Sequence, residues 1–209
     1  MFDSKVISFD EHGCYFLTLE TVDMVDVFTR PVYKQIVVHT LNHFIDNKGL
    51  IVYGWCLMTN RLYLVAQAQR HILLGDIRKG FKQFTSEKII ETIHTEPDER
   101  QGWMLQRFEK TTGLFHKQKK HECWKKIKEP VLVDMRKPEI MAEHLEFIHN
   151  APVKERFVQY PADFYYSSAR DYIDDVKGLV KIEKLTPVET ALDDIENRKS
   201  SFKVKYNRQ

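Results

Sequence analysis

The stretch Leu50–Ala68, Leu-Ile-Val-Tyr-Gly-Trp-Cys-Leu-Met-Thr-Asn-Arg-Leu-Tyr-Leu-Val-Ala-Gln-Ala, limits the fold more than any other part of the chain. β-Branched and aromatic residues fill Leu50–Met58 and Arg61–Ala68, and the two residues between them, Thr59 and Asn60, have turn chemistry. The expected structure is an antiparallel hairpin. Side chains alternate across a strand, so Arg61 and Tyr63 share one face while Leu62 and Leu64 occupy the other.

Elements on either side of the hairpin follow from periodicity. Cys14–Val22 is rich in strand formers, with Tyr15, Leu17 and Leu19 on one face. Thr29 and Pro31 announce a helix as cap and first-turn residue, Val32, Ile36, Val37, Leu41, Phe44 and Ile45 recur at helical spacing, and Gly49 marks the stop. A second helix is predicted from about Ile72 to His94, with Leu74, Ile77, Phe81 and Phe84 as its apolar stripe. Glu129–Met135 reads as a fourth strand, and Lys137-Pro138 opens another helix that Pro152 is expected to end. A tyrosine-rich segment, Phe157–Tyr172, and a short strand at Leu179–Ile182 follow.

The order strand–helix–strand–strand–helix–strand is the split βαβ, ferredoxin-like arrangement of the α+β class. The expected architecture is an antiparallel sheet with helices on one face, followed by a C-terminal helical, tyrosine-rich extension. Residues 1–182 form one domain on this reading, and 183–209 an arm or tail. The fold hosts many activities and assigns none.

Composition removes several classes. A hydrophobic content of 43% with 30% charged residues belongs to a globular chain. Cys14, Cys56 and Cys123 are odd in number and widely spaced, which argues against a disulfide framework and fits a reducing cytoplasm. Neither a signal peptide nor a membrane-length apolar run is apparent. Net charge is only +2, but Lys117–Lys128 holds six lysines against Glu122 alone. Such a segment meets phosphates even when overall charge is small. On the second helix, Arg78, Lys79, Lys82 and Ser86 lie near one another, either as an ordinary solvated face or as a row of phosphate contacts.

Three separated phrases resemble one family. Trp55-Cys-Leu-Met-Thr-Asn-Arg-Leu-Tyr-Leu-Val65 is similar to the Met-Pro-Asn-His-hydrophobic-His signature of single-tyrosine HUH transposases, including the REP-associated tyrosine transposases. Ile77-Arg-Lys-Gly-Phe-Lys-Gln-Phe-Thr-Ser-Glu-Lys-Ile89 resembles their basic helix. Phe147-Ile-His-Asn-Ala-Pro-Val153 with Tyr165-Tyr-Ser-Ser-Ala169 resembles their Tyr-Ile-His-Asn-Asn-Pro-Val and Tyr-Ser-Ser-Ala run. The resemblance extends from about Tyr15 to about Lys181.

The resemblance implies a site and also its loss. In the family two histidines hold a divalent cation such as magnesium beside the scissile phosphate; Arg61 and Tyr63 stand in those slots. An arginine keeps its proton at working pH and repels a cation. The family's tyrosine attacks the phosphodiester, and Phe147 stands there without a hydroxyl. Ala151 replaces an asparagine that is a third ligand. No catalytic residue, metal ligand or cofactor is therefore expected.

The implied function is transposase-like binding of single-stranded or hairpin DNA without cleavage. Candidate contacts are Arg61, Arg78, Lys79, Lys82, Lys117, Lys119, Lys120 and Lys125, with Tyr53, Tyr63 and Trp124 as aromatics for unpaired bases. Arg61 has two readings, a grip on a nucleic-acid backbone or a pair with an acid on the sheet face. Two alternatives differ in class. One is an active transposase with a relocated nucleophile among Tyr63, Tyr160, Tyr165 and Tyr166, using His149 as ligand or base. The other is a homodimeric scaffold that no longer binds DNA.

Overall fold

The computed structural model describes residues 13–96, 98–110, 120–126 and 129–185. In chain order the elements are β1 (Cys14–Glu20), α1 (Pro31–Asn47), β2 (Leu50–Leu57), β3 (Arg61–Ala68), α2 (Leu74–Thr95), α3 (Gln101–Phe108), the two-residue β4 (Glu109–Lys110) and β5 (Lys120–His121), β6 (Val131–Val133), α4 (Pro138–Lys154) and α5 (Ala169–Ile173). The main sheet runs β2-β3-β1-β6 with every pairing antiparallel. This is the ferredoxin-like order, with β6 as the fourth strand. β4 and β5 pair separately.

The hairpin forms in the expected register, with Leu57 opposite Leu62 and Trp55 opposite Leu64. Met58 N–H closes the turn on Arg61 O at 2.8 Å. No positive φ is needed at Thr59 or Asn60. An acid shapes the turn instead: Asp26 Oδ1 accepts from Thr59 Oγ1 at 2.7 Å and from Asn60 Nδ2 at 3.1 Å. Thr21 and Phe28 also donate their backbone N–H groups to the Asn60 and Thr59 carbonyls.

Alternation along the strands sorts side chains into two buried layers. Tyr15, Leu17, Leu19, Leu62, Leu64 and Ala66 pack under α1 and α2, where Val37, Leu41, Ile77, Phe81 and Ile89 meet them. Phe84, placed on that stripe by spacing, lies exposed instead, because Thr85 and Ser86 take the inward positions of its turn. The opposite sheet face carries Cys56, Tyr63 and Val65, and α4 covers part of it with Met141, Ala142, Leu145 and Ile148. A β-bulge between Val52 and Gly54 shifts the alternation of β2, so that Leu50 and Val52 before it and Trp55 and Leu57 after it belong to the same layer.

Several boundaries differ from the pattern-based expectation. Arg30 rather than Thr29 is the N-cap of α1; Thr29 ends a short 3₁₀ turn. Gly49 adopts φ +70° just past α1, as a stop residue does. α4 runs through Pro152 to Lys154. A proline removes one donor near the helix end, and the N–H groups of Glu155, Arg156 and Phe157 close that end on the Ala151, Val153 and Pro152 carbonyls. Residues 179–182 form no strand; Asn42 holds them, donating to Leu179 O at 2.8 Å and accepting Lys181 N–H at 3.0 Å. The tail from residue 186 lies outside the described residues.

The free edge of β2 is sealed by later chain. Leu57 N–H donates to Tyr166 O, Ser168 N–H to Trp55 O, and Glu183 N–H to Val52 O. Beneath this seam His149 of α4 is fully buried, its Nε2 at 2.9 Å from Ser168 Oγ and its ring against Tyr172. Ser168 Oγ also accepts Trp55 N–H at 3.0 Å. One hydroxyl therefore joins α4, β2 and the Tyr-Ser-Ser segment. Burial lowers the pKa of His149 to about 3.

Two outcomes follow. An added methyl at Gly54 would lie 2.1 Å from Leu145 Cδ2. Gly54→Ala is therefore expected to lower unfolding free energy by about 1–3 kcal/mol, read from the urea midpoint. For His149 the folded pKa lies below the unfolded one, so the unfolded chain takes up the proton first as pH falls. Stability is complete above about pH 6.5 and is lost progressively toward pH 3. His149→Gln removes that part of the acid dependence, measured as urea midpoints from pH 7 to 4.

Candidate nucleic-acid interface

The hairpin and α4 bring the four positions singled out by the resemblance to one place within a single chain. Arg61 opens β3, Tyr63 follows two residues later on the same face, and Phe147 and Ala151 lie one turn apart on α4 above them. Tyr63 and Phe147 meet edge to face with ring centroids 5.6 Å apart. Phe16 of β1 stacks on both Tyr63 and His144 and meets Phe147 at 5.8 Å. Ala151 is buried beside them.

The guanidinium of Arg61 is oriented by its neighbours. Nε donates to Asn60 Oδ1 at 3.0 Å, and Nη1 donates to the Tyr63 hydroxyl at 3.3 Å. Asn60 is itself held by Asp26. Nη2 stands 3.7 Å from Glu155 Oε1, an ion pair longer than a hydrogen bond. Desolvation works against the charge, but the Tyr63 hydroxyl and the carboxylates of Glu155 and Glu20 outweigh it and hold the Arg61 pKa above its usual value. The side chain remains partly open to solvent.

This donor set does not fit a divalent cation. The two slots on β3 present a permanent cation and a phenol that accepts its hydrogen bond. The described residues contain no group of three histidines, cysteines or acids able to hold a metal. Phe147 carries no hydroxyl, and Tyr63, only 6% exposed, is packed under α4. His149, considered as a ligand or base, is committed to Ser168. Tyr160 and Tyr165 are the exposed phenols that follow α4.

The basic candidates separate into different environments. Lys79 is exposed on α2. Arg78 turns inward beside Leu17, Leu64, Leu74 and Phe81; its Nε and Nη1 are buried without hydrogen bonds among the described residues, and desolvation lowers its pKa. Lys82 donates its ammonium to the Lys125 carbonyl. Lys125 pairs with Glu20 at 3.6 Å and gives its N–H to the Glu20 carbonyl. These two lysines thus tie residues 123–125 to α2 and β1. Lys120 opens β5, while Lys117 and Lys119 lie outside the described residues.

Tyr53, Tyr63 and Trp124 belong to the core rather than to a stacking surface. Trp124 packs on Phe28 and Phe81 and donates Nε1–H to Thr85 Oγ1 at 2.8 Å. Two residues near Arg61 went unmarked in the sequence. Glu155 follows Ala151 by four residues and Phe147 by eight, a spacing that identifies one helix face. Lys154 lies over the Phe147 ring at 5.1 Å.

No protein-family model matches the chain, and no curated protein matches it. Among solved structures, the chain is similar to a REP-associated tyrosine transposase bound to a REP hairpin, with a TM-score of 0.55 and 11% sequence identity. The match covers 83% of this chain and 87% of that one. At that identity the likeness shows a shared fold. No helix among the described residues is long and apolar enough to cross a membrane.

The environments of the lysines yield a stability contrast. Lys82→Met removes a partly buried charged donor and is expected to cost about 0.5–1.5 kcal/mol. Lys79→Met, at an exposed position, is expected to stay within about 0.5 kcal/mol of the parent. Urea midpoints of the two variants check both.

Proposed function

We propose that this protein is a transposase-like DNA-binding protein that holds single-stranded or hairpin DNA and does not cut it. One observation carries the reading: Arg61, Tyr63, Phe147 and Ala151, four positions scattered in sequence, converge on one partly open site. That convergence agrees with the transposase resemblance of the three sequence phrases. The solved structure with the same fold was bound to a REP hairpin, which supports DNA as the ligand class here.

The chemistry of the site favours binding over cleavage. A guanidinium offers planar, permanently charged donors suited to a phosphate oxygen pair. It provides a fixed charge where a metal-assisted mechanism needs an exchangeable one. The phenyl ring of Phe147 keeps the packing against Phe16 and Tyr63 and supplies no nucleophile. Arg61 and Lys79 are the first contacts on this reading, together with the lysines of 117–128. Lys82 and Lys125 contribute positive potential while keeping their internal bonds.

The test is fluorescence anisotropy of a labelled single-stranded DNA hairpin, titrated across a salt series with and without magnesium. The expected outcome is binding that weakens linearly in log salt and ignores magnesium. Binding that requires magnesium, or a covalent protein–DNA adduct on Tyr160 or Tyr165, would replace this reading with that of an active enzyme. Absence of binding at low salt would leave a scaffold role. Phe147→Tyr restores a hydroxyl and is expected to yield neither cleaved hairpin nor adduct on denaturing gels, because Arg61 and Tyr63 still occupy the neighbouring slots.

A further inference from the structure

The geometry points to Glu155 as a resident stand-in for phosphate: its carboxylate occupies the Arg61 guanidinium in the free protein and yields that position to a backbone phosphate of the bound strand. This rests on the DNA-binding reading above and identifies the residue that sets the affinity of that site.

Three observations support the exchange. First, the pair is loosely made. Arg61 is fixed on two sides by Asn60 and Tyr63, whereas the third side faces Glu155 at 3.7 Å with no hydrogen bond between them. The fork is built more firmly than its occupant is held. Second, both partners are partly open to solvent, 24% and 38% by side chain, so the carboxylate can be replaced without unpacking the core. Third, the carboxylate sits at an electrostatically unfavourable place. Glu155 is the C-cap of α4, where the helix end already carries partial negative charge and a cation is the stabilising choice.

The surroundings favour an anion over the empty guanidinium. Lys154 and Arg156 flank Glu155 in the chain, and Lys154 stands over Phe147 at the rim of the same site. Glu20, the cross-strand neighbour of Arg61, has its carboxylate paired with Lys125. Glu155 is the acid within ion-pair distance of Nη2, where an incoming phosphate competes with it. A phosphodiester brings two oxygens to the fork, and a bidentate contact of that kind exceeds a single long ion pair. The exchange trades one neutralised pair for another and makes affinity depend on the difference between them.

The experiment is a double-mutant cycle with the labelled hairpin, comparing the parent protein, Glu155→Gln, Arg61→Gln and the double variant at fixed low salt. Glu155→Gln is expected to tighten binding about two- to fivefold, the scale of one partly exposed ion pair. The gain should disappear in the Arg61→Gln background. A second measurement is the salt slope of Glu155→Gln, expected to stay at the parent's value because Arg61 neutralises the same phosphate in both. A slope steeper by about 0.7, one further phosphate on a single strand, would show that the parent's Arg61 stays on Glu155 and overturn the exchange. This second readout does not depend on the folding of the Arg61 variant. Unchanged or weaker binding by Glu155→Gln overturns the exchange while leaving DNA binding intact. An equal gain with and without Arg61 also overturns it, because that gain is long-range charge alone. Failure of both parent and Glu155→Gln to bind at low salt overturns the exchange and the DNA-binding reading together.

Discussion

The strict alternation of β3 between two buried layers is the constraint on which the rest of the molecule depends. Leu62, Leu64 and Ala66 face α1 and α2, and Tyr63 and Val65 face α4. A slip of one residue in the hairpin would send the leucines to α4 and Tyr63 into the helical layer. The turn clamp by Asp26 and the antiparallel ladders on both sides of β3 oppose that slip. Arg61 inherits its direction from the same register. The position of the charge is therefore a property of the sheet, secured by burial of residues that never meet a ligand.

Strong periodicity made much of this architecture legible in the sequence. The hairpin, the faces of β1 and β3, and the two helices packed beneath them follow from periods of two and 3.6. Elements that depend on distant partners were less visible. Trp124 reads as an available aromatic until Thr85 and Phe28 are seen around it. Arg78 and Lys82 both read as surface cations, yet one is drawn under the sheet and the other is spent on a backbone carbonyl. Pro152 signals a helix end in isolation, but in the last turn of α4 it forgoes one donor, and the turns beyond it close the carbonyls of Ala151, Pro152 and Val153.

At the candidate site the sequence disclosed the residue types and the structure supplied their company. Arg61, Tyr63, Phe147 and Ala151 were singled out by motif resemblance, and the aromatic packing of Phe16, Tyr63, His144 and Phe147 shows how the fold accommodates the two rings among them. The Phe147 ring and the Tyr63 phenol fill the site as a small hydrophobic cluster with the Arg61 cation at its border. Function at such a place depends on how well that cation is shielded. Glu155 escaped notice because acids at helix ends are common in sequences and informative only when their partner is known.

The seam that seals β2 has a consequence for how the protein is made. Trp55 finds its partner in Ser168, 113 residues further along the chain. During synthesis the sheet must present an unpaired, largely apolar edge until the segment 166–168 emerges, and the last contact, from Glu183, comes later still. Edges of this kind recruit strands from neighbouring chains. A nascent or truncated chain that ends before Tyr166 would carry an intact hairpin with its flank exposed. The short Tyr-Ser-Ser segment thus guards the sheet against self-association as well as positioning α4.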